Sequence, residues 1–190
     1  MKNIMVAICA FLLLAGCITP MLPKAEWYYY TVTPDHIENH HVSLTIGQVA
    51  STAGMSLIIL NKTDGVISVL WDRTVLVTPN GRSQRVIHSG TKLVDRSGIQ
   101  APSVIAPNGR IDDIIVPSDN VYYESGQYSR YGSVPGGWRY QTLWQESMVD
   151  GKAESLVGKQ AKLVFSYDAG SGPATLVVDL QVEKVEKMEL

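Results

Sequence analysis

Residues 161–182 read AKLVFSYDAGSGPATLVVDLQV. Side chains on a strand alternate between faces, so Leu163, Phe165 and Tyr167 share one side of the first half. Leu176, Val178, Leu180 and Val182 alternate in the same way in the second half. Between the halves stand Ala169-Gly170-Ser171-Gly172-Pro173, residues that reverse a chain without steric cost. The pattern predicts a β-hairpin with one buried face.

The same grammar recurs upstream. Val42, Leu44 and Ile46 alternate within HVSLTIG, residues 41–47. MSLIILN, residues 55–61, is a short apolar run of the kind a fully buried strand shows. Asn61-Lys62-Thr63-Asp64-Gly65 is a turn cluster, and VISVLWD follows at 66–72, so a hairpin is expected here too. In its second arm Ile67, Val69 and Trp71 share a face, and Val66, Ser68 and Leu70 the other. Asn61-Lys62-Thr63 also fits the glycan acceptor pattern, but turn chemistry explains it better.

Thr74–Thr78 and Ser83–His88 flank Pro79-Asn80-Gly81, a turn in which proline presets φ and Asn-Gly tolerates positive φ. This predicts a further hairpin. Residues 101–109, APSVIAPNG, bracket a short extended piece with prolines, which suits a sheet edge. Ile111, Ile114, Ile115 and Val116 carry the apolar pattern to Pro117. Helical periodicity is confined to one turn near 152–157. Short strands with turns about every ten residues predict an all-β chain, an immunoglobulin-like β-sandwich with few or no helices. Trp71 is similarly placed to the core tryptophan of such domains, although their cysteine pair is absent.

Composition agrees. The chain has 190 residues, 45% hydrophobic and 18% charged, with a formal net charge of -2. That suits one globular domain and excludes a disordered chain. It also excludes a binder driven by nucleic-acid phosphates, which needs a basic surface.

The N-terminus speaks to location. Met1-Lys2-Asn3 is a short basic segment, and IMVAICAFLLLAG, residues 4–16, is apolar but too short for a bilayer span of about 20 residues. It ends in Leu14-Ala15-Gly16-Cys17, which resembles the lipobox of bacterial lipoproteins. The resemblance implies cleavage after residue 16 and acylation of Cys17, with palmitate-type chains as a membrane anchor. Two or more chains make such attachment stable. Ile18 stands where Asp is similar to an inner-membrane retention signal, which points to the outer membrane in a Gram-negative host. Cys9 would leave with the signal, so the mature domain has no disulfide and rests on its core. The expected plan is a signal at 1–16, a lipidated cysteine and tether at 17–40, and one domain at 41–190. Trp27-Tyr28-Tyr29-Tyr30 within that tether reads as a first strand, since aromatics favour strands.

Residues 118–146, SDNVYYESGQYSRYGSVPGGWRYQTLWQE, break the strand pattern. A loop this long in a compact domain is uncommon and often functional. Tyr122, Tyr123, Tyr128, Tyr131, Trp138, Tyr140 and Trp144 lie among Gly, Ser, Asn and Arg. Rigid rings amid small adaptable residues resemble a binding paratope. The competing reading is a cap, with the rings folded onto one end of the sandwich and their hydroxyls in water.

Other patterns carry less. His36 and His40 would share a helical face with Glu38 between, but the order of a zinc-hydrolase helix is missing, so solvated histidines are expected. Asp112, Asp113 and Asp119 match no calcium loop. Asp72, Ser83 and His88 supply the residue types of a hydrolytic triad, but no nucleophile elbow surrounds a serine. Arg73, Arg82, Arg85, Arg96 and Arg110 could gather into a patch for anionic headgroups or glycans, yet 18 acidic residues make paired surface charges the better expectation.

The resulting expectation is an anchored envelope lipoprotein with no catalytic residues, no metal and no cofactor. It would bind or scaffold an envelope protein or glycan through the aromatic stretch or an exposed strand edge. The alternatives are a cell-wall or surface-glycan hydrolase and a purely structural member of a multi-lipoprotein assembly. Two carboxylates facing a cleft beside Trp138 would mark the hydrolase. Burial of all the loop rings would mark the structural component.

Overall fold

The computed structural model describes residues 28–50, 54–79, 81–129, 132–140 and 153–187. These residues are all-β, as the alternation predicts. The strands are β1 (Tyr28–Thr33), β2 (His36–Glu38), β3 (Val42–Ala50), β4 (Gly54–Asn61) and β5 (Ile67–Val69). They continue with β6 (Val75–Val77), β7 (Ser83–His88), β8 (Ser103–Ile105), β9 (Arg110–Pro117) and β10 (Val121–Glu124). The last are β11 (Gln127–Ser129), β12 (Gly132–Val134), β13 (Gly137–Tyr140), β14 (Gln160–Asp168) and β15 (Pro173–Lys187). Among the described residues helical geometry is limited to short 3-10 turns, one of them Ala153–Leu156, where the sequence shows one helical turn.

The hairpin read at 161–182 forms as β14 and β15, paired from Gln160↔Gln181 to Asp168↔Pro173. Leu163, Phe165, Tyr167, Val178, Leu180 and Val182 all point into the core. The hairpin around Pro79-Asn80-Gly81 forms as β6 and β7. Burying each large apolar side chain is worth about 1.5–3 kcal/mol, so the inward row of each strand supplies its hold on the sheet.

Two strands change partners part-way and make the corners of the fold. In β7, Ser83–Arg85 pair with β6, whereas Val86–His88 pair with β9. In β15, the first half pairs with β14 and the second half, from Gln181 to Lys187, with β1. A register shift at Thr31/Val32 accompanies the β15 turn, as bulges commonly do where strands bend between faces. The hydrogen-bonded path therefore runs β15-β1-β3-β4-β9-β7-β6-β14 and returns to β15. The two faces of the expected sandwich are joined into one closed, barrel-like sheet, with β5–β8 attached beside β14 and β2 beside β3. Closure leaves few strand edges to pair with other chains.

Four expectations need correction. The hairpin between 55–61 and 66–72 does not form: β4 pairs with β3 and β9, and β5 with β8 and β14. The reason lies in Asn61, which is fully buried. The two N–H groups of its amide are shared among the carbonyls of Gly65, Ile105 and Ala106, which lie 2.7, 3.2 and 2.9 Å from the nitrogen. Its oxygen accepts from the Thr63 N–H at 2.9 Å. That Asx turn holds the connection open and sends β5 to another part of the sheet. The buried, fully engaged side chain also bears out the turn reading of this segment.

Trp71 is buried as expected, but it begins a 3-10 turn, Trp71–Arg73, rather than ending a strand. The tether read at 17–40 contains β1 and β2, so the body reaches back at least to Tyr28. Tyr28, Tyr30 and Val32 are buried in alternation, which is the strand pattern read in the aromatic cluster. Finally, within the irregular loop expected at 118–146, residues 121–124 pair with 137–140 and 127–129 with 132–134, as described next, and 141–146 lie outside the described residues. One glycine has a fixed role in the body: Gly54 has φ +93, and a Cβ there would meet the Ile115 carbonyl oxygen at 2.4 Å.

Candidate functional site

After the 3-10 turn Ser118–Asn120, the chain leaves the closed sheet and forms an arm of two ladders. β10 pairs with β13, setting Tyr123 opposite Trp138, and β11 pairs with β12, setting Tyr128 opposite Ser133. The ladders meet where Gly126 and Gly136 approach. A Cβ on Gly136 would lie 2.6 Å from the Gly126 nitrogen, so only glycine fits this waist.

Of the arm's described side chains only Val121 is buried. Tyr122 is 41% exposed, Tyr123 57% and Tyr128 91%. Trp138 is partly buried. Tyr123 meets it edge-on, with centroids 5.5 Å apart, and the Arg96 guanidinium lies over the Trp138 ring, 4.8 Å from its centre. An ion pair between Arg139 and Glu124 at 2.9 Å ties the two strands of the first ladder. Tyr131 and Trp144, with the side chain of Tyr140, lie outside the described residues, as does Cys17 with the whole lipobox.

Where the arm joins the body there is an open cleft of about 590 Å³. Its lining is Arg82, Arg85, Arg96, Ser97, Ser118, Asp119, Val121 and Tyr122. Arg82 donates to Asp119 at 2.7 Å. Arg85 donates to the Arg96 carbonyl at 2.6 Å and faces the Asp72 carboxylate at 3.5 Å. Through these bonds Arg82, just before β7, and Arg85, on it, are positioned, and Arg85 ties in the loop that carries Arg96. Arg96 has no carboxylate within ion-pair distance among the described residues. Arg110 pairs with Asp112 elsewhere. The expectation of paired surface charge thus holds for Arg82, Arg85 and Arg110, while the alternative of a gathered patch, less favoured from sequence, is met in part by Arg82, Arg85 and Arg96. Their positions, 82, 85 and 96, have no common spacing, and the Arg85–Arg96 bond and the Trp138 ring bring the third into place.

The candidate catalytic and metal patterns are dispersed. Ser83 and His88 occupy opposite ends of β7, and Asp72 accepts from the Gln100 N–H at 3.0 Å. His88 Nδ1 instead meets Asp113 at 3.1 Å. The Ser89 hydroxyl donates to that same carboxylate at 2.7 Å, so His88 does not serve as its base in this arrangement. Asp112 and Asp113 are neighbours on a strand and point to opposite faces. His36 lies on β2 and meets the Thr45 hydroxyl at 3.0 Å, so the helical pairing with His40 does not arise. Near Trp138, Glu124 and Asp119 are each held by an arginine.

Comparison with family models, with curated proteins and with solved structures finds no match to this chain.

Proposed function

We propose that this protein is a lipid-anchored bacterial envelope lipoprotein, held through acyl chains on Cys17, whose arm at 121–140 is a non-catalytic binding surface. Its partner is an envelope protein or glycan. The lipobox at Leu14–Cys17 supports the anchor. The exposure of Tyr122, Tyr123 and Tyr128 carries the binding half, since a structural cap would bury these rings. Rings paired on a β-ribbon are rigid before contact, which lowers the entropy lost on binding. Strand addition is less favoured: β8 pairs only with β5 among the described strands, is three residues long and is flanked by Pro102 and Pro107. Among the described residues the hydrolase reading lacks a free pair of carboxylates beside Trp138.

Site-specific photo-crosslinking from Tyr128, in native envelopes with the anchor intact, tests this. A discrete adduct is expected. Adducts from probes elsewhere on the body, with none from Tyr128, would overturn the reading.

A further inference from the structure

We infer that the cleft between Arg82, Arg85 and Arg96 binds a saccharide that carries a carboxylate or phosphate group. This deepens the binding reading of the arm and rests on it, because Tyr122 belongs to both and the arm's Trp138 stacks on Arg96.

The charge balance comes first. Three guanidinium groups line the cleft, and Asp119 is the one acid among its lining residues. Arginine presents a planar fork of donors that matches carboxylate and phosphate oxygens two at a time. Arg82 and Arg85 are positioned by their bonds to Asp119, Asp72 and the Arg96 carbonyl. Arg96 is held differently. Its face is covered by Trp138 at 4.8 Å, and stacking leaves the N–H edge of a guanidinium free to point elsewhere. A guanidinium ordered by a ring, and lacking a carboxylate among the described residues, is a preorganised anion donor.

The remaining lining selects the rest of the ligand. Ser97 and Ser118 bring hydroxyls, and Tyr122 brings a half-exposed ring. These suit sugar hydroxyls and a sugar face. At about 590 Å³ the cleft falls within the range of small-ligand sites. It is open and polar, which fits a hydrated ligand rather than an apolar one.

The test titrates the full chain, purified in detergent, with galacturonic acid, trigalacturonic acid, glucose 6-phosphate and glucose, using calorimetry. The acid sugars are expected to bind and glucose not, with affinity falling as salt rises. Tighter binding of the trimer than of the monomer assigns the source to an acidic polymer, and equal binding assigns it to a free acid sugar. Arg96→Gln should weaken binding about tenfold or more, the loss expected for a hydrogen bond to a charged group. Asp119→Asn should tighten it, because the cleft loses its opposing charge. A purely structural role for these residues predicts no such gain.

Acid sugars binding no better than glucose would overturn the inference. So would wild-type affinity in both variants, or binding to phosphatidylglycerol vesicles alone, which would assign the face to a lipid surface. Tyr128 crosslinking in the wild-type chain separates the two readings: adducts from a chain that binds acid sugars no better than glucose sink the cleft alone.

Discussion

The Trp71 indole lies flat on the His88 imidazole, with ring centroids 4.7 Å apart and planes 7° apart. The indole N–H donates to the Ser103 hydroxyl at 2.8 Å, so one side chain joins its own 3-10 turn, the end of β7 and the start of β8. Trp71 is fully buried. Trp71→Ala should therefore cost about 3–5 kcal/mol, the range for deleting a large core ring. Ser103→Ala should cost about 1–3 kcal/mol, since the indole N–H loses its partner. Urea unfolding monitored by circular dichroism measures both, and equal costs would contradict the packing role of the ring.

Asn61 is the polar counterpart of Trp71. Its side chain ties three carbonyls from two segments and the turn that follows it. Asn61→Ala should lower stability by about 1–3 kcal/mol. Asn61→Asp should lower it further at neutral pH, because a carboxylate would face the Gly65 and Ala106 carbonyls. Denaturation midpoints that rank the two variants in the opposite order would refute this account.

The arm should open without unfolding the body. Gly136→Ala places a Cβ against the Gly126 nitrogen and breaks the waist. Trp138→Ala removes the ring under Arg96 and beside Tyr123. In both variants amide exchange should quicken across β10 and β13 while the thermal midpoint moves little, since the closed sheet keeps its core. A large drop in the midpoint would mean that the arm is part of the cooperative unit.

One exposed ion pair gives a pH signature. The Lys62 ammonium, 2.9 Å from Glu38, holds that carboxyl below its ordinary value of 4.5 by hydrogen bonding and by charge. A depressed carboxyl stabilises the fold above its unfolded value and loses that contribution as pH falls through the folded value. The pair is solvent-exposed, so the effect on stability is small. In Lys62→Gln the Glu38 midpoint, followed by side-chain NMR, should rise toward 4.5. An unchanged midpoint would assign the depression to another group.

Cys17→Ser should abolish acylation and move the chain from the membrane fraction to the soluble fraction. Unchanged processing and fractionation would sink the lipoprotein reading, independently of what the arm binds.

The hairpins β6–β7 and β14–β15 were legible because each is local: alternation selects the buried face, and a glycine-rich or Pro-Asn-Gly turn sets the return. The arm was not, although it is also a hairpin. Its described side chains beyond Val121 lie on a ribbon with no buried face, so no apolar alternation marks its strands. The Tyr/Trp density was visible, but whether those rings met solvent or core was not.

Local residue pattern decided that this chain is all-β, where its tightest turns fall, and that Trp71 and the inward rows of β14 and β15 belong to the core. Those outcomes follow from steric alternation and turn chemistry, which act over a few residues. The tertiary structure alone decided that β7 and β15 switch partners, that β5 leaves β4, and that the sheet closes. It alone brought Arg96 to Arg85 and onto Trp138, 42 residues further along the chain. Such contacts are chosen by competition among many possible strand pairings, and the winner is the one that buries the most apolar surface with its backbone groups satisfied.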